Sequence, residues 1–380
     1  MHIAHMTMPL SREGSAVTNV VRSLVLSHAG KSTVVTSKHR DVDVAGAENI
    51  RADFSGSCPR EYFDRFEMMV DHFFGFLNRD RPFTGQLPLA AVHALRESDP
   101  DVVFVHEGHY ASSALPLFRR WLPNAKLFVY VHTRLARSYT RRELQRLYSY
   151  VDGVVCVSKY VETMVRTRLG NSWNRIPIHS VVNGVDIERF FPSAEAPAAD
   201  QTLFVGQVGK HKGADLAVRA IAALHDPVTL RVIGSSVHGP TKGLTRYERR
   251  LRTLAAAVGN GSRISFEPFR PNPELPEVYR SAGVMLIPSR FHDPCPLVCL
   301  EALASGCAVI GSSRGGIPAI CGDAGLVMEP TPRNLALAME GLIKDPAMYA
   351  ELRTKARQRA CDLRWSNQFR KLMDFVASVN

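Results

Sequence analysis

Apolar residues recur along this chain with two alternating periods. Short, nearly continuous apolar runs at 2–6, 101–105, 126–131, 151–158 and 178–182 read as buried strands. A second series follows at 202–205, 228–233, 263–266 and 284–287. Between the strands the spacing becomes helical. Val17, Val20, Val21, Leu24 and Val25 share one face over 16–26, and further helical segments occupy 214–224, 333–343, 346–360 and 365–379. Strands buried on both faces, interleaved with helices, predict parallel sheets in an α/β fold. Two such series in 380 residues predict two domains, 1–195 and 196–364, joined through the Ala- and Pro-rich stretch 193–200.

One segment departs from this pattern. Over 134–151, Ala136, Thr140, Leu144, Leu147 and Val151 form one helical stripe, while Arg134, Arg137, Arg141, Arg142 and Arg146 fill much of the rest. It reads as a single basic helix. Its arginines are either a solvated face or an interface for anionic lipid.

Candidate chemistry gathers where strands give way to helices, because ligands bind at the carboxyl edge of a parallel sheet. The strand 284–287 runs into Pro288-Ser289-Arg290-Phe291-His292-Asp293-Pro294-Cys295-Pro296, then a helix carrying Leu300, Glu301 and Leu303. Free backbone N–H groups over 296–299, a run that includes Pro296, Leu297 and Val298, would present the positive end of the helix dipole to a phosphate. The carboxylates of Asp293 and Glu301 are poor phosphate ligands but good acceptors for sugar hydroxyls. The plain alternative is a loop acid plus a helix acid favoured by the dipole, and spacing alone does not choose. A second glycine-bearing turn, Gly206-Gln207-Val208-Gly209-Lys210-His211-Lys212-Gly213, brings cations. Gly14 stands at the first strand–helix turn, where it lets backbone approach a phosphate or hydroxyl, or simply makes a tight turn. His132 closes the strand 126–131, facing the cleft or capping the strand end.

Asp293-x7-Glu301, with Ala302-Leu303-Ala304-Ser305-Gly306, Val309-Ile310 and Gly315-Gly316-Ile317-Pro318 after it, resembles the acid-x7-glutamate signature of retaining glycosyltransferases of family 4. The resemblance implies the GT-B fold: two Rossmann-like domains facing a central cleft, the last helix, about 365–380, crossing back onto the first. It implies transfer of a hexose from a nucleoside-diphosphate sugar to an acceptor hydroxyl (saccharide, lipid-linked or small molecule), with no cofactor and no metal. Catalysis then falls to Lys212, Asp293, Glu301 and His132. Lys212 and the helix N-terminus near 297 stabilise the leaving diphosphate, the two acids hold donor hydroxyls from a solvent-filled cleft, and His132 points towards the donor sugar. Gly14, Gly206, Gln207, Lys210, Arg290, Pro296, Leu297 and Val298 would contact the donor. The chain departs from the family pattern at Asp293 for Glu, Pro296 for Gly, Ala319 for Glu and Gln207 for Arg. The last substitution leaves the diphosphate one cation short, which Lys210 or Arg290 is expected to supply. Asn183-Gly184-Val185-Asp186 matches the turn at the crossing between domains, and 267–273 the loop that holds the base.

Charge and cysteine usage narrow the partners. The chain has 47 Lys and Arg against 36 Asp and Glu, a net +11 with pI about 9.5. That favours nucleotide sugars or phospholipid surfaces; nucleic acid is not expected, since no nucleic-acid module is evident and the charge is spread. Cys58, Cys156, Cys295, Cys299, Cys307, Cys321 and Cys361 form no Cys-x-x-Cys pair and leave one odd, which predicts a reducing compartment. With no leader pattern and no apolar run of ~18 residues, the expectation is a cytoplasmic protein, alternatively one held at the inner membrane face. Other motifs fail on context. Ala29-Gly30-Lys31-Ser32-Thr33 follows a helix and precedes a strand, the reverse of a P-loop. Asp41-Val42-Asp43, and His292 with Cys295 and Cys299, lack the company of a metal site. The aromatic-rich 56–86 stretch reads as core packing, with acceptor contact as the alternative. Two competing functions remain: a two-domain NAD(P)-type dehydrogenase, whose glycine fingerprint is missing, and a non-catalytic sugar-nucleotide-binding subunit.

Overall fold

The fold is given by a computed structural model that describes residues 1–7, 16–37, 43–52, 69–70, 73–74, 76–77, 89–106, 115–170, 173–236 and 243–379. The chain forms two compact units, Met1–Val182 with Gln368–Asn380, and Asn183–Asn367. The division precedes the expected 195/196 boundary because the turn after Val182 is bonded into the second unit. Val185 N–H donates to Leu363 O at 3.0 Å, and Arg357 donates to the carbonyls of Ile187 and Phe190.

In the first unit seven strands lie parallel: β1 (His2–Thr7), β2 (Lys31–Ser37), β3 (Glu48–Ala52), β4 (Val102–His106), β5 (Lys126–Val131), β6 (Gly153–Cys156) and β7 (Ile178–Ser180). Their order is β3-β2-β1-β4-β5-β6-β7. The second unit holds β8 (Gln201–Val205), β9 (Thr229–Ile233), β10 (Arg263–Glu267), β11 (Val284–Ile287), β12 (Ala308–Ser312) and β13 (Gly325–Met328), in the order β10-β9-β8-β11-β12-β13. Each sheet grows one way from its first strand and then the other. The topological switch point thus falls between β1 and β4 in the first sheet and between β8 and β11 in the second.

The helices of the first unit are α1 (Ala16–Ser27), α2 (Leu89–Ser98), α3 (Leu115–Trp121), α4 (Arg141–Tyr148) and α5 (Lys159–Leu169). Those of the second are α6 (Ala214–Ala222), α7 (Arg246–Ala256), α8 (Leu275–Arg280), α9 (Leu297–Ala304), α10 (Ile317–Cys321), α11 (Pro332–Lys344) and α12 (Pro346–Asp362). The last helix, α13 (Trp365–Ser378), belongs from Gln368 onward to the first unit, where Phe375 meets Phe128 edge-on at 5.8 Å. Around α6 the second core gathers Ala217, Val218, Ile221, Leu230, Leu286 and Ile310, all fully buried apolar side chains.

The basic segment is not one helix. A 3-10 turn (Leu135–Ser138) ends, and α4 starts afresh with Thr140 as its N-cap in extended geometry. Thr140 accepts from Glu143 N–H while Glu143 accepts from Thr140 N–H, a capping box that satisfies donors at a helix start. Thr140 is therefore a boundary and not a member of a continuous stripe.

Candidate active site

The turn after β8 and the loop after β11 meet at the switch point of the second sheet, and glycine makes the meeting possible. Gly213 has φ +78°, and a Cβ there would lie 2.1 Å from Pro288 O. Without a side chain at 213 the two loops lie in contact, and the N–H groups of Arg290 and Phe291 both donate to His211 O, at 2.9 and 3.1 Å. This brings Lys212 onto Asp293, whose carboxylate accepts from the Lys212 ammonium. Gly315 does the same from the other side. Its φ is +68°, a Cβ there would fall 2.2 Å from Asp293 O, and Gly316 N–H donates to that carbonyl at 2.7 Å. The Gly-Gly pair thus holds the Asp293 backbone in place.

Each donor contact expected in the second unit has a definite environment. Pro296 is the N-cap of α9 and, as an imino acid, offers no N–H, so the run of free donors begins at Leu297 and not at 296. Leu297 and Val298 open the helix half-buried, with no acceptor one turn earlier; Cys299 N–H is already bonded to Pro296 O at 3.1 Å. Gly206 N–H is bonded to Ile233 O at 3.0 Å. The Gln207 amide donates to Ser236 O at 2.7 Å and its oxygen lies 3.0 Å from His211 Nε2. Arg290 is committed, with both terminal nitrogens on Asp215 at 2.7 Å and one also on Lys210 O. Asp215 receives the Tyr247 hydroxyl as well, at 2.8 Å. Lys210 is exposed and pairs with no carboxylate among the described residues.

The acids do not stand open to solvent as expected. Asp293 is 8% and Glu301 7% exposed. Glu301 accepts the hydroxyl of fully buried Tyr279 at 2.8 Å. Burial pushes the Glu301 carboxyl up to about 7, against the opposing pull of that hydroxyl and of the Arg189 charge. Near neutrality this group carries only part of a charge.

In the first unit His132 ends a diagonal row of imidazoles across β1, β4 and β5. His5 Nδ1 lies 3.0 Å from His106 Nε2, and His106 Nδ1 lies 2.8 Å from His132 Nε2. All three are buried, and His132 stacks on Tyr130 with centroids 4.7 Å apart. Burial holds His5 and His132 down to about 3 and His106 well below the usual imidazole range, with the neighbouring imidazoles adding to it at His106. The rings are neutral at pH 7. Gly14 lies outside the described residues, as do Asp41 and most of 56–86. Of that aromatic stretch, Phe73 and Phe76 are exposed and not packed in a core.

Tyr279, Asp215, His5 and His106 were not singled out by motif. The available signals are weak: His5 in the middle of a first strand that also carries His2 and Thr7, and His106 at the end of β4. Among the described residues no cluster of three His, Cys, Asp or Glu could hold a metal ion, and no helix is long and apolar enough to cross a membrane. Asp43 pairs with Arg51 at 3.1 Å. Glu267, at the head of the 267–273 loop, closes β10 and pairs with Arg231 and Arg270.

The model of glycosyl transferases group 1 matches residues 186–359, and that of Glycosyltransferase Family 4 matches 54–189. Together the two glycosyltransferase models match residues 54–359. It is 34% identical over 217 residues to D-inositol 3-phosphate glycosyltransferase 1 of Catenulispora acidiphila, covering 53% of this chain and 52% of that one. The enzyme named D-inositol 3-phosphate glycosyltransferase in Nocardiopsis dassonvillei is 31% identical, covering 50% and 48%. The chain thus spans about half the length of these curated relatives. Among solved structures, sucrose-phosphate synthase from Thermosynechococcus elongatus superposes with a TM-score of 0.75 at 21% identity, covering 99% of this chain and 98% of that one. Anabaena HepE in complex with UDP-glucose superposes with 0.73 at 15% identity over 100% of both. These likenesses establish the fold, α/β of the GT-B class.

Proposed function

We propose that this glycosyltransferase moves a hexose-type sugar from a nucleoside diphosphate to an acceptor hydroxyl, with retention and without a metal. The observation that carries the proposal is the convergence of Lys212, Asp293 and the first turn of α9, one turn before Glu301, at the β8/β11 switch point. As the bond from sugar C1 to the phosphate oxygen breaks, negative charge grows on the diphosphate. The Lys212 ammonium and the N–H groups of Leu297 and Val298 are placed to take it up. The acceptor oxygen bonds to C1 on the same face, and its proton passes to the departing phosphate oxygen. Asp293 and Glu301 hold donor hydroxyls, Asp293 while bonded to Lys212.

HepE was solved with UDP-glucose and the curated relatives are named for D-inositol 3-phosphate. Those names choose the first compounds to try. Thermal-shift screening of nucleotide sugars, then detection of released nucleoside diphosphate with and without EDTA and with D-inositol 3-phosphate among the acceptors, tests the reading. Binding without release from any donor would favour the sugar-nucleotide-binding subunit. The strand order is shared with dinucleotide enzymes, so the family match and not the fold speaks against the dehydrogenase alternative.

A further inference from the structure

Helix α5 has two faces. Val161, Glu162, Met164, Val165 and Leu169 are buried, Met164 at the border of the two faces. Tyr160, Thr163, Met164, Thr167 and Arg168 recur at the i, i+3, i+4, i+7 and i+8 spacing of a second stripe, the kind that ordinarily packs on another element. Here the stripe lines one wall of a cavity of about 520 Å³. The opposite wall is Arg137, from the 3-10 turn, and Arg141, at the start of α4.

Among the described residues no carboxylate lines this cavity. From 134 to 170 the sequence holds eight basic residues and three acids, Glu143, Asp152 and Glu162. All three acids are engaged elsewhere: Glu143 in the capping box, Asp152 with Arg119, and Glu162 with Lys159 and Arg166. Among the described residues, Arg137 and Arg141 pair with no carboxylate. Arg168 is pinned by the Tyr139 carbonyl, an uncharged acceptor. Arg141 also occupies the first turn of α4, where the helix dipole disfavours a cation. Three guanidinium groups are thus gathered around one hollow, and among the described residues no carboxylate offsets their charge.

We propose that this cavity binds a phosphate group, carried by a soluble phosphate ester or by a phospholipid headgroup. Guanidinium forks match phosphate oxygens in pairs, and a bound dianion would relieve both the mutual repulsion of the arginines and the unfavourable dipole at Arg141. The volume exceeds that of phosphate alone and lies in the usual range for compact organic ligands, roughly 300–1,000 Å³. All seven lining residues belong to the first unit, and none was assigned to the donor site, so binding here requires no turnover and goes beyond the transferase reading.

The test uses the full chain at about 0.15 M salt with two probes. Calorimetry with glycerol 3-phosphate measures a soluble ester, and flotation compares phosphatidylcholine vesicles with and without phosphatidylglycerol. Arg137→Gln with Arg141→Gln should weaken whichever probe binds by at least ~10-fold. Arg142→Glu with Arg146→Glu, a larger charge change away from the cavity, should leave that binding within about threefold. Ester binding assigns the site to a soluble phosphate, and flotation that needs anionic lipid assigns it to a headgroup. The proposal is overturned if neither probe binds, or if the control pair weakens binding as much as the cavity pair. Should the double glutamine variant unfold, each single variant is expected to lose several-fold, and wild-type binding by both singles would equally overturn it.

Discussion

Lys212 and Asp293, 81 residues apart, form an ion pair where the first and fourth strands of the second sheet part company. A cation assigned to the diphosphate and an acid assigned to the sugar are therefore one unit. Removing either leaves the other in a largely dry place without its partner, which costs about 1–3 kcal/mol. Lys212→Ala is expected to lower turnover ~10²-fold or more with donor saturating, and also to lower the melting temperature. Asp293→Asn, which retains shape and a hydrogen-bond acceptor, should melt closer to wild type while still losing turnover. A Lys212→Ala enzyme of normal rate would remove Lys212 from the reaction.

The Tyr279–Glu301 contact makes a prediction about pH. With its carboxyl pushed up to about 7, Glu301 becomes fully charged only above neutrality, so kcat/KM should climb through that region. The Tyr279 hydroxyl works against the upward shift, so Tyr279→Phe should move the climb to higher pH. Glu301→Gln should abolish the climb and lower turnover ~10²-fold. An identical acidic limb in wild type and Tyr279→Phe would show that Glu301 does not govern it.

The α/β class and most strands were legible, the edge strands β7 and β10 included, because parallel strands leave continuous apolar runs. Polar or short strands were not: β2, Lys-Ser-Thr-Val-Val-Thr-Ser, and β3, Glu-Asn-Ile-Arg-Ala, are mostly polar, β12 has only Val309-Ile310 between small residues, and β13 is only half-buried. The break in the basic segment was written in Thr140-x-x-Glu143, but the arginines drew attention to periodicity instead of capping. Motif spacing located the loops around Lys212, Asp293 and Glu301. It could not show that Arg290 would be taken by Asp215 or that Tyr279 would bond Glu301, because partners from separate elements leave no local signature.

That commitment of Arg290 bears on the second cation. Both of its nitrogens are on Asp215, and Gln207 spends its amide on Ser236 and sits beside His211. Lys210 is the exposed alternative in the same turn. A charged hydrogen bond contributes about 1.5–3 kcal/mol against roughly 0.5–1.5 for a neutral one, a difference near one order of magnitude in rate. Lys210→Ala should therefore lose ~10-fold in turnover without a change in melting temperature. Arg290→Ala should act mainly on stability by leaving Asp215 without its cation and with only the Tyr247 hydroxyl as side-chain donor. Gln207→Arg is expected to help little; strong acceleration, with Lys210→Ala near wild type, would mean the diphosphate site is simply short of charge.

The row His5–His106–His132 sets how the protein responds to acid. Each ring is held neutral in the fold, two of them down to about 3, whereas an unfolded histidine protonates near 6.5. The unfolded chain therefore binds more protons below about 6.5, and stability, fully present above that value, falls as pH falls. Each such histidine contributes a slope approaching about 1.4 kcal/mol per pH unit once well inside the window. Glu301 acts in the opposite sense between about 4.5 and 7, since its raised carboxyl binds a proton more readily folded than unfolded. It is one group against three, so the histidines dominate. Urea midpoints measured at pH 7, 6 and 5 should fall with increasing steepness, in a range where the salt-bridged carboxylates have not yet begun to titrate. His5→Phe removes one titrating ring and frees one face of His106 while keeping an aromatic beside Phe104, 5.6 Å away in the native stack. Because Glu301 already offsets about one of the three rings, the variant should flatten the decline between pH 6 and 5 by roughly half. A midpoint that is level from pH 7 to 5 in the wild type would mean that the three rings are not held neutral together.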